Sequence, residues 1–187
     1  MSMMKNHRRI STLVVAAFAA VVFSPVMGQA QQAAPAAPAA AVMPVVVSVG
    51  SPIGEFSLTD ADGKGVSEKT LAGKPTALVF FQTACSMCAA EVQDVREIAG
   101  RNPGFNIVLV SIDMRPPADK FKSYRKNYAG DTAPIWLDSK LALGRRLKLS
   151  ATPAVALIDS KGNLAELNIG YSAGEKNTLE QSLKNLK

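Results

Sequence analysis

The chain has 187 residues, 48% of them apolar and 19% charged, which suffices for one domain with its own hydrophobic core. Its formal charge is +6, but three of the positive residues, Lys5, Arg8 and Arg9, sit in a distinct N-terminal stretch and leave +3 for the rest. So mild an excess, with no block of like charge, argues against nucleic acid as a partner; the clusters Lys120, Lys122, Arg125, Lys126 and Arg145, Arg146, Lys148 are expected on solvated helix faces.

In chain order, Lys5, Arg8 and Arg9 precede an apolar run over residues 13–23, and small residues follow at Gly28 and Ala30. This is the layout of a secretory signal peptide over residues 1–30, with removal expected after about Ala30. The run is short for a membrane span, which needs ~20 apolar residues. An uncleaved, membrane-tethering anchor is the alternative. Residues 31–50 are uncharged and rich in Ala and Pro, and are expected to form a spacer ahead of a single domain over residues 51–187.

Within that domain, residues 55–59 and the Asp60-Ala61-Asp62-Gly63-Lys64 turn predict an N-terminal hairpin. The run TALVFF, Thr76–Phe81, reads as a buried strand. A helix follows, with Cys88, Val92, Val95 and Ala99 at helical spacing and Glu91, Asp94 and Glu97 assigned to other faces; Asn102-Pro103-Gly104 ends it. A second buried strand is expected over residues 106–112 and a helix over 118–128 after Pro116-Pro117. A short strand over 134–137 and a short helix over 140–147 come next, with Trp136 expected in the core. AVALI and LAELNI, either side of Asp159-Ser160-Lys161-Gly162-Asn163, read as a second hairpin, and a helix over 174–186 closes the chain. Strands alternating with helices predict an α/β fold, a central mixed sheet flanked by helices.

The two cysteines, Cys85 and Cys88, form a C-x-x-C at the predicted strand-to-helix junction. There the unpaired N–H groups and positive dipole end of the helix favour a thiolate at Cys85, and Cys88 lies one turn in, within reach for a disulfide. One sulfur can then attack and the other resolve. Structural zinc needs four protein ligands, whereas no third cysteine exists and the only histidine, His7, is in the leader; no metal and no other cofactor is expected. A structural staple is disfavoured because so short a loop removes little entropy from the unfolded chain. A redox pair is the preferred reading.

Taken together, Gly73-Lys74-Pro75 before the buried strand, the C-x-x-C, PIWLD ending at Asp138, and ATPAVALIDSKGN resemble the thioredoxin fold, and within it the TlpA/ResA-like exported thiol-disulfide oxidoreductases. The resemblance implies that Cys85 is the exposed attacking cysteine and Cys88 the buried resolving one. It implies a cis-proline at Pro153 beside the disulfide, with Thr152 presenting its backbone to an extended substrate segment. It also matches Glu91 to an acidic residue that manages proton transfer, against the plainer reading of a solvated helix carboxylate. Met87 offers a soft apolar contact to a partner, against the plainer reading of a surface filler. Where relatives often have Trp and Pro before the two cysteines, this chain has Ala84 and Met87; Val92 replaces another frequent proline, and Val79 stands at thioredoxin's buried aspartate.

The function so implied is disulfide exchange with exported cysteine-containing proteins, apocytochromes among them, by a periplasmic or otherwise exported monomer. The expected direction is reduction, with electrons drawn from a membrane donor. A peroxiredoxin-like thiol peroxidase and a redox-inert binding module are the alternatives. The first lacks its usual Thr three residues before the attacking cysteine, where Gln82 stands.

Overall fold

The computed structural model describes residues 46–115, 118–130, 133–172 and 174–186; the expected leader and most of the spacer lie outside them. Seven strands form one mixed sheet in the order β2-β1-β5-β4-β3-β6-β7. They are β1 (Ser57–Asp60), β2 (Gly65–Ser67), β3 (Thr76–Phe81), β4 (Asn106–Ser111), β5 (Ile135–Leu137), β6 (Ala154–Ile158) and β7 (Leu164–Ile169). β3, β4 and β5 run parallel, while β6 pairs antiparallel with β3, β7 with β6, and β1 with both β5 and β2.

The central strands read as unbroken apolar runs because both faces of the sheet are covered. Along β3, Ala77, Val79 and Phe81 point into one core and Leu78 and Phe80 into the other, as the two-residue period requires. The first core packs under α1 (Ser86–Arg101), α2 (Ala118–Tyr124) with its π-helical continuation Arg125–Ala129, and α4 (Lys176–Asn185). The second packs under α3 (Ala142–Arg146) and holds Trp136, Phe56 and Leu71.

Two features tie the chain beyond its regular elements. Ahead of β1, a strap runs over the second core: Val47 is buried in it, Gly50 N–H donates to Leu164 O at 2.7 Å, and Ile53 N–H to Gly162 O at 2.9 Å. The packed chain thus extends N-terminal of Ser51. Arg146 was expected on a solvated face; instead its guanidinium donates to the carbonyls of Ile53 and Glu55 and holds the strap, because the end of α3 lies beside it. On the other side of the sheet, Lys176 at the start of α4 pairs with Asp94 and Glu97 of α1, and Arg101 pairs with Glu180, clasping the two helices together.

Candidate active site

The site grows from the end of β3. Its last residue, Phe81, is followed by the short loop 82–84, and Cys85, in extended conformation, is the N-cap of α1. Cys85 Sγ accepts the Cys88 N–H at 3.1 Å, satisfying one of the donors that a helix start leaves unpaired. The two cysteines are joined in a disulfide with their Cα atoms 5.3 Å apart. Cys85 is half-buried and Cys88 wholly buried, whereas Met87, between them, is 54% exposed.

The Thr152–Pro153 peptide bond is cis. Phe80 pairs with Ala154 across β3 and β6, and that register carries Pro153 and Thr152 to the end of β3 that leads to Cys85. The Thr152 hydroxyl donates to Gln82 Oε1 at 3.2 Å, so the two loops are joined directly. From the other side, Asp113 after β4 accepts the Thr83 N–H at 2.9 Å and the Ser111 hydroxyl at 2.9 Å, which braces the loop before Cys85.

Glu91 is the principal correction to the sequence reading. Assigned to a non-core face of the helix, it is 1% exposed. Its spacing explains this: three residues after Cys88 and adjacent to Val92, it falls on the same buried stripe as both. Burial, and next the negative charge of Glu175, push its carboxyl up to about 8. Glu91 Oε2 has no hydrogen-bond partner among the described residues. Nearby in the same core, Tyr124 stacks on Phe81 with ring centroids 4.3 Å apart; its hydroxyl has no hydrogen-bond partner among the described residues, and burial raises its pKa.

Cys85, Cys88, Met87, Thr152 and Pro153 therefore gather at one end of the sheet, with Glu91 in the core behind them. Gln82, Asp113 and Glu175 were not singled out for these positions. Their partners are 30 or more residues away in the chain, and no local pattern marks such pairs. Among the described residues no group of three or more His, Cys, Asp and Glu is placed to hold a metal ion, and no helix is long and apolar enough to cross a membrane.

Known proteins resemble this chain in sequence and in fold. Thiol-disulfide oxidoreductase ResA of Bacillus thuringiensis (strain Al Hakam) is 26% identical over 140 residues, covering 75% of this chain and 79% of the relative. The exposed lipoprotein thioredoxin Etrx1 of Streptococcus pneumoniae superposes with a TM-score of 0.59 at 27% identity, over 71% of this chain and 100% of that one. The dsbF of Mycobacterium tuberculosis, at 23% identity, superposes with a TM-score of 0.62 over 71% of this chain and 95% of its own, which shows the shared thioredoxin-like fold. The model of the Redoxin family matches residues 48–183, nearly all of the domain. The chain therefore belongs to the Redoxin family, and Cys85 and Cys88 are the C-x-x-C pair of a thiol-disulfide oxidoreductase.

Proposed function

We propose that the protein is exported and reduces disulfides in exported cysteine-containing proteins, apocytochromes among them, with Cys85 attacking and Cys88 resolving. The observation that carries this reading is the asymmetry of the pair: Cys85 is half-buried at the start of α1, while Cys88 is wholly buried one turn in, on the same stripe as Glu91. A sulfur at a helix N-terminus is stabilised as thiolate and remains open to a partner. A buried thiol reacts only within the molecule.

In the forward direction the Cys85 thiolate attacks one sulfur of the partner's disulfide and the other leaves as a thiolate, giving a mixed disulfide. Glu91 takes the proton of the Cys88 thiol through its ionised form, the minor one at neutral pH because its carboxyl is pushed up to about 8, close to an ordinary thiol. The Cys88 thiolate then attacks Cys85 Sγ, closes the internal disulfide and expels the partner's second sulfur; solvent protonates the partner's thiolates. A membrane dithiol donor regenerates the pair by the reverse exchange. Thr152 and Pro153 hold the partner's extended segment beside the disulfide, and Met87 makes an apolar contact to it. The N-terminal pattern supports export as a cleaved leader over residues 1–30, followed by the Ala/Pro-rich spacer, and working as a monomer is part of the same reading.

The test is mixed-disulfide trapping in an exporting host: Cys88→Ser accumulates covalent complexes with exported proteins and Cys85→Ser does not. Equal trapping by both variants, or by neither, overturns the assignment of roles. The reduction potential fixes the direction. A value near ~−270 mV, as in thioredoxin, supports the reductant, and one near ~−120 mV, as in DsbA, overturns it.

A further inference from the structure

We propose that the cleft between β7 and the start of α4 is a proton exit for Glu91, separate from the face that a partner covers, with the Glu175 carboxylate as the acceptor at its mouth. The inference rests on the reading of Glu91 as the base that takes the Cys88 proton.

The cleft is a cavity of about 210 Å³ with Glu91 and Leu179 among its lining residues, and Asn168, Tyr171, Glu175 and Thr178 adding polar groups to its wall. At ~30 Å³ for each water in the liquid, it has room for several. Glu91 is 1% exposed and its Oε2 has no hydrogen-bond partner among the described residues, which is costly for a buried polar atom unless water reaches it. At the other end, Glu175 and Thr178 are exposed. None of Cys85, Met87, Thr152 and Pro153 lines the cavity, so a partner seated over the disulfide leaves it open.

Turnover creates the need for such a route. In the mixed disulfide the partner covers Cys85, and resolution loads the Cys88 proton onto a buried carboxylate that must release it before the next cycle. In the proposed path the Glu91 O–H gives its proton to water in the cleft, the water passes a proton to Glu175, and Glu175 releases it to bulk solvent. Each donor recovers its starting charge, and the proton count balances. The titratable groups facing Glu91 are Glu175 and Tyr171 from the α4 side and Tyr124 from α2, with Cys88 on its own helix. Lys176 is turned away into its pairs with Asp94 and Glu97, while the Glu175 carboxylate accepts the Ser172 N–H at 3.1 Å.

The exchange of the Glu91 proton for deuteron tests this directly. The carboxylic C=O stretch is followed by infrared spectroscopy after rapid mixing into D₂O at a pD near 6, and is assigned by its loss in Glu91→Gln. Cys88→Ser protein is compared free and as a mixed disulfide between Cys85 and ubiquitin carrying one engineered cysteine. Covering Cys85 is expected to leave the exchange rate unchanged. Thr178→Phe, which fills the mouth, and Glu175→Gln, which removes the acceptor, are each expected to slow exchange at least tenfold in the covered protein. A rate that collapses on covering alone, a rate in the covered protein that neither substitution changes, or the absence of a protonated Glu91 band overturns the proposal. The measurement needs no turnover, so a failed trapping experiment with an intact exchange pattern would overturn the oxidoreductase roles and not the exit.

Discussion

The Thr152 hydroxyl donates to Gln82 Oε1 at 3.2 Å and thereby couples the loop of the cis-proline to the loop that delivers Cys85. The bond is solvent-exposed and neutral, so its net worth to folding is at most ~1 kcal/mol. Its value lies in holding two partner-facing loops in register. Thr152→Val is therefore expected to unfold within about 1 kcal/mol of the parent while slowing exchange with a protein disulfide several-fold more than with glutathione disulfide. Parallel stopped-flow assays with the two substrates check this; equal slowing would place the effect on the sulfur chemistry instead.

Burial of Glu91 makes stability depend on pH in a direction unusual for a carboxylate. Its folded pKa, about 8, lies above the unfolded value near 4.5. Between those values the folded protein holds a proton that the unfolded chain has lost. Stability from this group is full below pH 4.5 and declines by about 1.4 kcal/mol per pH unit as pH rises towards 8. Glu91→Gln removes that decline. Urea titrations of the oxidised protein at pH 5 and pH 8 are expected to show the variant gaining on the parent by roughly 3 kcal/mol over that interval, with the parent's slope as the control.

Gly54 adopts φ +70°, and a Cβ there would run into the Arg146 guanidinium that holds the strap. Gly54→Ala combines a left-handed backbone cost of ~1–2 kcal/mol with displacement of that guanidinium. A loss of about 2–3 kcal/mol in denaturant titration is expected. Gly104→Ala, where a Cβ meets nothing within 4 Å, serves as the near-neutral comparison. In an Arg146→Ala background the cost of Gly54→Ala should shrink, since the two share one interaction.

Glu180 sits where α4 meets the end of α1, and hydrogen bonds from Arg101, Lys184 and Asn102 hold its carboxyl down at about 2. The stabilisation is present above the unfolded value of 4.5 and disappears as pH falls towards 2. Glu180→Gln is expected to lower the neutral plateau and flatten the acid limb, so that variant and parent converge as pH falls towards 2. Because the group lies at the surface, high salt should narrow the difference between variant and parent. Thermal melts at pH 2.5, 4 and 7, with and without added salt, decide it.

Much of the fold was legible wherever local pattern and burial agree. TALVFF, AVALI and LAELNI became β3, β6 and β7 with the expected ends, because each is an apolar or alternating run closed by turn residues. Asp159 shows the mechanism at the hairpin: its carboxylate accepts the N–H groups of Lys161 and Asn163 and sets the turn. The helices shifted by a residue or two, with the last over Lys176–Asn185, since helix ends depend on which capping partners the fold supplies. Trp136 is buried as expected, at 2% exposure.

Residue order alone determined that two cysteines stand one helical turn apart after a buried strand, because a C-x-x-C at such a junction follows from periodicity and turn chemistry within about twenty residues. The same local reading missed the environment of Glu91. A carboxylate among helical positions looks solvated until one knows that β6, β7 and α4 close over it. The tertiary structure decided that burial, the facing Glu175, the Thr152–Gln82 bond and the grip of Arg146 on the strap. Each joins positions some 70 to 90 residues apart, and desolvation and through-space charge act over ångströms rather than along the chain.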